Sequence, residues 1–137
     1  MIQGYLSLDP EISSFANWTK FIFGYCDGAF HQGISKDPVK YKDASLYFRG
    51  AALTRSHFDW INEKYGLKEA DKIVLTGASA GGVAVALWNN YLKDYVREEK
   101  KVFPIADSGA FSIYKTHKGD ARIEKQLQNL YKLANSG

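Results

Sequence analysis

Ser79 stands between Ala78 and Ala80, with Gly77 two positions before it and Gly81 two positions after, inside the stretch KIVLTGASAGGVAVALWNNYL. A serine hydroxyl attacks an ester carbonyl when a base takes its proton, and the glycines of a G-x-S-x-G turn let neighbouring backbone pass without a Cβ in the way. The surroundings suit that chemistry. An apolar run of strand length precedes the turn, a helical pattern follows at once, and Ala78, Ala80 and Gly82 keep the flanks small. The free N–H groups and positive dipole end of that helix would face negative charge forming on an attacked carbonyl, with the Ala80 N–H as one oxyanion donor. A structural reading stands beside this one, in which Ser79 is a turn residue whose hydroxyl caps the helix. A phosphate loop is the poorer reading, because the Lys and following Ser/Thr of a P-loop are missing and G-x-G-x-x-G does not occur.

A hydrolytic serine also needs an imidazole and an acid, and the chain holds three histidines. His31 follows a Cys-Asp-Gly turn, His57 falls on a helical segment, and His117 sits among the polar turn residues of KTHKGD. Only Asp94 or Asp107 followed by His117 meets the order serine, acid, histidine. Asp107 has a second reading, since Asp-Ser-Gly is a turn string in which the aspartate accepts backbone N–H bonds and the glycine takes a positive φ. Arg49, beside Gly50, is expected in a structural ion pair. Phe111, after a strand, is either a core residue or part of a pocket wall.

These residues need elements to hold them. NWTKFIFGYC, rich in aromatic and β-branched residues and ending at Asp-Gly, reads as a strand and turn, and SLYFRG repeats the pattern. Thr54, Phe58, Ile61 and Tyr65 fall at helical spacing, with Gly66 where a left-handed cap is wanted. KIVLT reads as a strand; Val83, Ala84, Leu87, Trp88, Tyr91, Leu92 and Tyr95 mark one face of a second helix. KVFPIAD is a further strand candidate, although Pro104 lacks a ladder donor, and Ile123, Leu127, Leu130 and Ala134 trace a last helix. Strand and helix alternate from Ser45 onward, which predicts an α/β fold: right-handed crossovers around a parallel sheet with helices on both faces.

Bulk properties restrict the function classes. A chain of 137 residues is one domain in size, 45% hydrophobic and 24% charged, and it has no apolar run long enough to span a membrane. The net charge of +3 comes from scattered lysines, and the one dense run, REEKK, mixes signs. It reads as a solvated loop, so no nucleic-acid partner is expected. The single Cys26 has no partner within the chain for a disulfide or a metal site, and serine chemistry calls for neither metal nor organic cofactor.

Taken in order, YCDGAFHQG, LYFRG, LTGASAGG and IADSGAF resemble the pectin acetylesterase family, to which the animal carboxylesterase Notum also belongs. The likeness spans Tyr25 to Phe111. It implies an α/β-hydrolase-type sheet, incomplete in this chain, and a secreted serine carboxylester hydrolase acting on an acylated polysaccharide or another ester. It places Ser79 on the nucleophile, Ala80 on the oxyanion donor, and Gly77, Gly81 and Gly82 on the elbow glycines. His31 falls near the active-site rim as a substrate contact, and Phe111 where an aromatic residue lines an acyl pocket. Ala78 stands where plant relatives often carry cysteine. The family's glycine-rich oxyanion segment is expected before residue 1, and its acid and histidine beyond Gly137. On this reading residues 1–137 form a single partial domain. The rival is a truncated or degenerate relative that binds carbohydrate at most.

Overall fold

The computed structural model describes residues 4–97, 101–110 and 115–134. In chain order the regular elements are β1 (Val39–Tyr41), β2 (Ala44–Leu46), α1 (Gly50–Tyr65), β3 (Ile73–Ala78), α2 (Ala80–Val96), β4 (Val102–Asp107) and α3 (Arg122–Ala134). Short 3-10 turns cover Gly4–Leu6 and Leu67–Glu69.

The part that positions Ser79 is a β3–α2–β4 unit. β3 and β4 pair in parallel from Ile73 opposite Val102 to Ala78 opposite Asp107, and α2 forms the crossover between them. Parallel strands cannot be joined by a tight hairpin, so a helix of this length is the natural connection. Pro104 lies opposite Leu75 within β4. Its missing N–H is tolerable because, among the described residues, this pair has two strands and each keeps a free edge.

α1 runs as its periodicity predicts and stops at Gly66, whose φ of 68° and ψ of 51° are left-handed and whose N–H donates to the Asn62 carbonyl. Thr54, Phe58 and Ile61 are buried as expected, whereas Tyr65 is exposed. On α2 the buried face runs through Gly82, Val85, Trp88, Leu92 and Val96. It is rotated from the predicted stripe, and Leu87 is left 49% exposed. The core joins Ala51 and Phe58 of α1 to Trp88, Leu92 and Val96 of α2 and Val102 of β4. Rings meet edge-on at its centre, with the Phe58 and Trp88 centroids 6.2 Å apart. α3 forms where expected, but only Ala134 of its residues is buried.

The expected sheet is smaller than its sequence suggested. Among the described residues no strand forms over 17–26, and of SLYFRG only Ser45 and Leu46 belong to a strand, in the short antiparallel hairpin β1–β2. β-branched and aromatic residues suit any packed surface, and those of residues 17–26 find one other than a sheet. Their rings pack on α1 instead: Phe23 lies 4.5 Å from the His57 ring, and Phe21 lies 5.0 Å from Tyr65. The fold is therefore α/β with one small parallel pair and helices.

Candidate active site

Ser79 is the residue between the end of β3 and the first turn of α2, with φ 53° and ψ −114°. That combination is costly for a residue with a Cβ, and it persists only where the surroundings over-determine it. They do so here. The Ser79 N–H donates to the Asp107 carbonyl at 2.9 Å, and its own carbonyl accepts from the Val83 N–H at 3.1 Å.

Glycine makes the turn sterically possible. A Cβ on Gly77 would lie 2.5 Å from the Gly81 carbonyl carbon, and one on Gly82 would lie 2.6 Å from the Asp107 oxygen and 2.7 Å from the Gly109 Cα. A Cβ on Gly109 would in turn collide with the Gly82 backbone. Gly81 differs, since nothing lies within 4 Å of its Cβ position. The first turn of α2 thus wedges between the ends of both strands, and the space beside Gly81 stays open.

The Ser79 side chain is exposed and makes no cap hydrogen bond to α2. Nor does its hydroxyl bond to any other described residue. The capping role is therefore not the one it plays here. Ala80 is the first residue of α2, so its N–H belongs to the donors that a helix cannot satisfy internally. Ser79, Ala80, Gly77 and Gly81 line a cavity of about 480 Å³, whose lining also includes His31, Thr54 and Trp88. His31 and Ser79 thus share one space, with no hydrogen bond between them.

The His31 imidazole is half-buried and lies 5.0 Å from the Tyr25 ring. Burial pushes its pKa below the ordinary 6.5; the Asp27 carboxylate opposes the shift and His57 adds to it. Such a ring is neutral near pH 7 and can accept a proton or a hydrogen bond. His57 instead packs on Phe23 with its Nδ1 buried and unpartnered. His117 is exposed in a turn where the Gly119 N–H donates to the Thr116 carbonyl, and it does not line the cavity. Asp107 touches Ser79 through its carbonyl, while its carboxylate accepts from the Ser108 hydroxyl at 2.8 Å. The positive φ expected at Gly109 falls on Ser108, at 50°.

Arg49 enters no ion pair among the described residues; it donates to the Lys36 carbonyl and covers the Tyr47 ring at 5.4 Å. Phe111 lies outside the described residues. No group of three or more His, Cys, Asp or Glu residues that could hold a metal ion occurs among those described.

Sequence reasoning passed over Asp27 as a turn residue. Its carboxylate is buried and accepts four backbone N–H bonds, from Ala29 at 2.9 Å, His31 at 3.3 Å, Gly33 at 3.0 Å and Gly50 at 2.9 Å. The only available signal was the joint presence of CDG and RG among the family-like segments.

The chain is thus an α/β protein in which a serine at left-handed φ stands on a strand-to-helix turn beside a cavity, its hydroxyl without a hydrogen bond among the described residues. The chain belongs to the pectinacetylesterase family, whose model matches residues 2–137. It is 34% identical over 111 residues to pectin acetylesterase 5 of Arabidopsis thaliana, covering 80% of this chain and 25% of that protein. Pectin acetylesterase 4 of the same plant is 32% identical over 107 residues, covering 77% and 26%. The palmitoleoyl-protein carboxylesterase NOTUM of Schmidtea mediterranea is 28% identical over 144 residues, covering 96% of this chain and 27% of that protein. The chain spans about a quarter to a third of the length of the curated relatives it matches. No solved structure matches it.

Proposed function

We propose that residues 1–137 carry the nucleophile segment of a serine carboxylester hydrolase, an extracellular enzyme acting on acylated polysaccharide or a related ester. Ser79 Oγ attacks the ester carbonyl, and the Ala80 N–H holds the oxyanion that forms. A base takes the serine proton and returns it to the alcohol as the ester C–O bond breaks, and water then hydrolyses the acyl-serine to release the acid and restore the hydroxyl. The observation that carries this reading is the strained Ser79 backbone, which presents an exposed hydroxyl, unbonded among the described residues, beside the N-terminus of α2. Membership of the pectinacetylesterase family supports ester hydrolysis as the reaction class.

One observation favours a second reading, a relative that binds its carbohydrate without cleaving it. Among the described residues no imidazole hydrogen-bonds the Ser79 hydroxyl.

A fluorophosphonate probe separates the two, because only an activated hydroxyl reacts quickly with it. In a protein that carries these residues at the full length of the relatives, peptide mapping should find the label on Ser79, and Ser79→Ala should abolish it. Label on another serine, with Ser79 unmodified, would end the nucleophile assignment.

A further inference from the structure

The loop 27–33 has no regular secondary structure, yet it carries one wall of the Ser79 cavity. Gly28, Phe30 and His31 all adopt positive φ, at 62°, 56° and 61°. Two of the three are not glycine, so the loop is held against a conformational cost. The Asp27 carboxylate supplies the hold. Oδ1 accepts from the Ala29 and His31 N–H groups, and Oδ2 accepts from Gly33 and from Gly50, the first residue of α1. A carboxylate at a helix N-terminus is also favoured by the helix dipole, and Arg49, at the usual cap position of α1, makes no side-chain cap bond.

The surroundings are shaped to this group. A Cβ on Gly50 would collide with the Asp27 carboxylate, and one on Gly33 would lie 2.6 Å from the Phe48 carbonyl. Gly33 also accepts from the Ala51 N–H at 3.1 Å, which ties the loop to α1 a second time. The His31 carbonyl then accepts from Trp88 Nε1 at 3.0 Å and from the Thr54 hydroxyl at 3.4 Å. Asp27, α1 and α2 together leave the His31 backbone little freedom, and its ring rests on Tyr25 inside the cavity.

We propose that Asp27 is a positioning residue for the Ser79 cavity: by bonding the backbone of the 27–33 loop and of Gly50 together, it sets the His31 ring in the wall of the cavity that Ser79 also lines, where that ring contacts the bound ester. The nature of the ligand rests on the esterase reading; the placement of the ring does not. In an active parent enzyme, Asp27→Asn should raise KM while fluorophosphonate labelling of Ser79 persists, so failure of the esterase reading and failure of this one are distinguishable.

The deciding experiment is an NMR titration of the histidine rings in the 137-residue chain. Two effects of Asp27 on His31 oppose each other. If the carboxylate acts only as a nearby charge, Asp27→Asn removes a raising influence and the His31 midpoint falls further below 6.5. If it holds the loop, the variant releases the ring to water and the midpoint rises toward 6.5, with loss of contact between the Tyr25 and His31 rings. We expect the rise, retained packing of the His57 ring on Phe23, and the same signature from Gly50→Ala. An unchanged or lower His31 midpoint overturns the proposal. Amide exchange in the unsubstituted chain covers the case in which the variants do not fold: the Ala29, His31, Gly33 and Gly50 N–H groups should be protected together, and exchange of His31 and Gly33 at open-loop rates while α1 stays protected would also overturn it.

Discussion

The Ser79 N–H donates to the backbone carbonyl of Asp107, 2.9 Å away, so the end of β4 holds the serine turn through a group that every amino acid carries. The Asp107 carboxylate is exposed and serves only the Ser108 hydroxyl among the described residues. Asp107→Asn should therefore shift unfolding free energy by no more than about 0.5 kcal/mol. Turnover of an active parent should stay within about tenfold, whereas loss of a triad acid costs about 10⁴ in kcat. Denaturant melts combined with active-site-titrated kinetics measure both. A well-folded variant that had lost a thousandfold or more in kcat would make Asp107 the catalytic acid.

The glycines of the turn should respond unequally to alanine. Gly77→Ala and Gly82→Ala drive a Cβ into backbone atoms at 2.5 and 2.6 Å, which cannot yield as a flexible side chain would. Each should cost about 2 kcal/mol or more. Gly81→Ala meets open space inside α2 and should be neutral or stabilising by up to about 1 kcal/mol. It should nonetheless impair an active parent, because the added methyl enters the Ser79 cavity. Equal losses of stability at all three positions would contradict the packing described.

Much of this was legible in the sequence where a local rule applied. α1 and its Gly66 cap, β3, α2, β4 and α3 follow from periodicity and turn chemistry, and the G-x-S-x-G spacing marks Ser79. Residues 17–26 misled because β-branched and aromatic residues suit any packed surface, and here the rings settle on α1. Asp27 was illegible for another reason. Its partners are backbone N–H groups at positions 29, 31, 33 and 50, and a bond from a side chain to the main chain across 23 residues leaves no periodic trace.

Tyr95 should contribute to the alkaline sensitivity of the fold. Its hydroxyl donates to Asp59 at 2.8 Å, and desolvation, then the bond and charge of Asp59, push its pKa from 10.0 to about 12. A raised pKa means the fold favours the protonated phenol. The contribution is fully present below pH 10, falls as the pH rises from there, and is lost once the pH passes about 12. Unfolding midpoints followed across this range should drop, and Tyr95→Phe should flatten the drop. A slope unaffected by that substitution would remove Tyr95 as its cause.

Free strand edges should promote association. Among the described residues β3 and β4 each have an unpaired edge, and Ile22 and Ile12 are 72% and 61% exposed. Sedimentation at high micromolar concentration should show oligomers, reduced by Ile22→Lys. A monodisperse monomer of the unsubstituted chain would refute this.

The strain at Ser79 predicts a conflict between stability and function. A φ of 53° with ψ of −114° costs a residue bearing a Cβ about 1–3 kcal/mol, and glycine escapes most of that cost. Glycine also loses about 0.5–1 kcal/mol more to backbone ordering, so Ser79→Gly should gain about 1 kcal/mol net. Ser79→Ala keeps the Cβ and the strain, and the lost hydroxyl made no hydrogen bond among the described residues, so its stability should match that of the unsubstituted chain. The two variants thus separate strain from side-chain chemistry: both should be unreactive toward a fluorophosphonate, and only glycine should melt higher. The difference in Tm between Ser79→Gly and Ser79→Ala is the measurement. If alanine destabilised the chain by more than about 1 kcal/mol, the hydroxyl would have a structural partner after all, and the nucleophile assignment would lose the observation on which it rests.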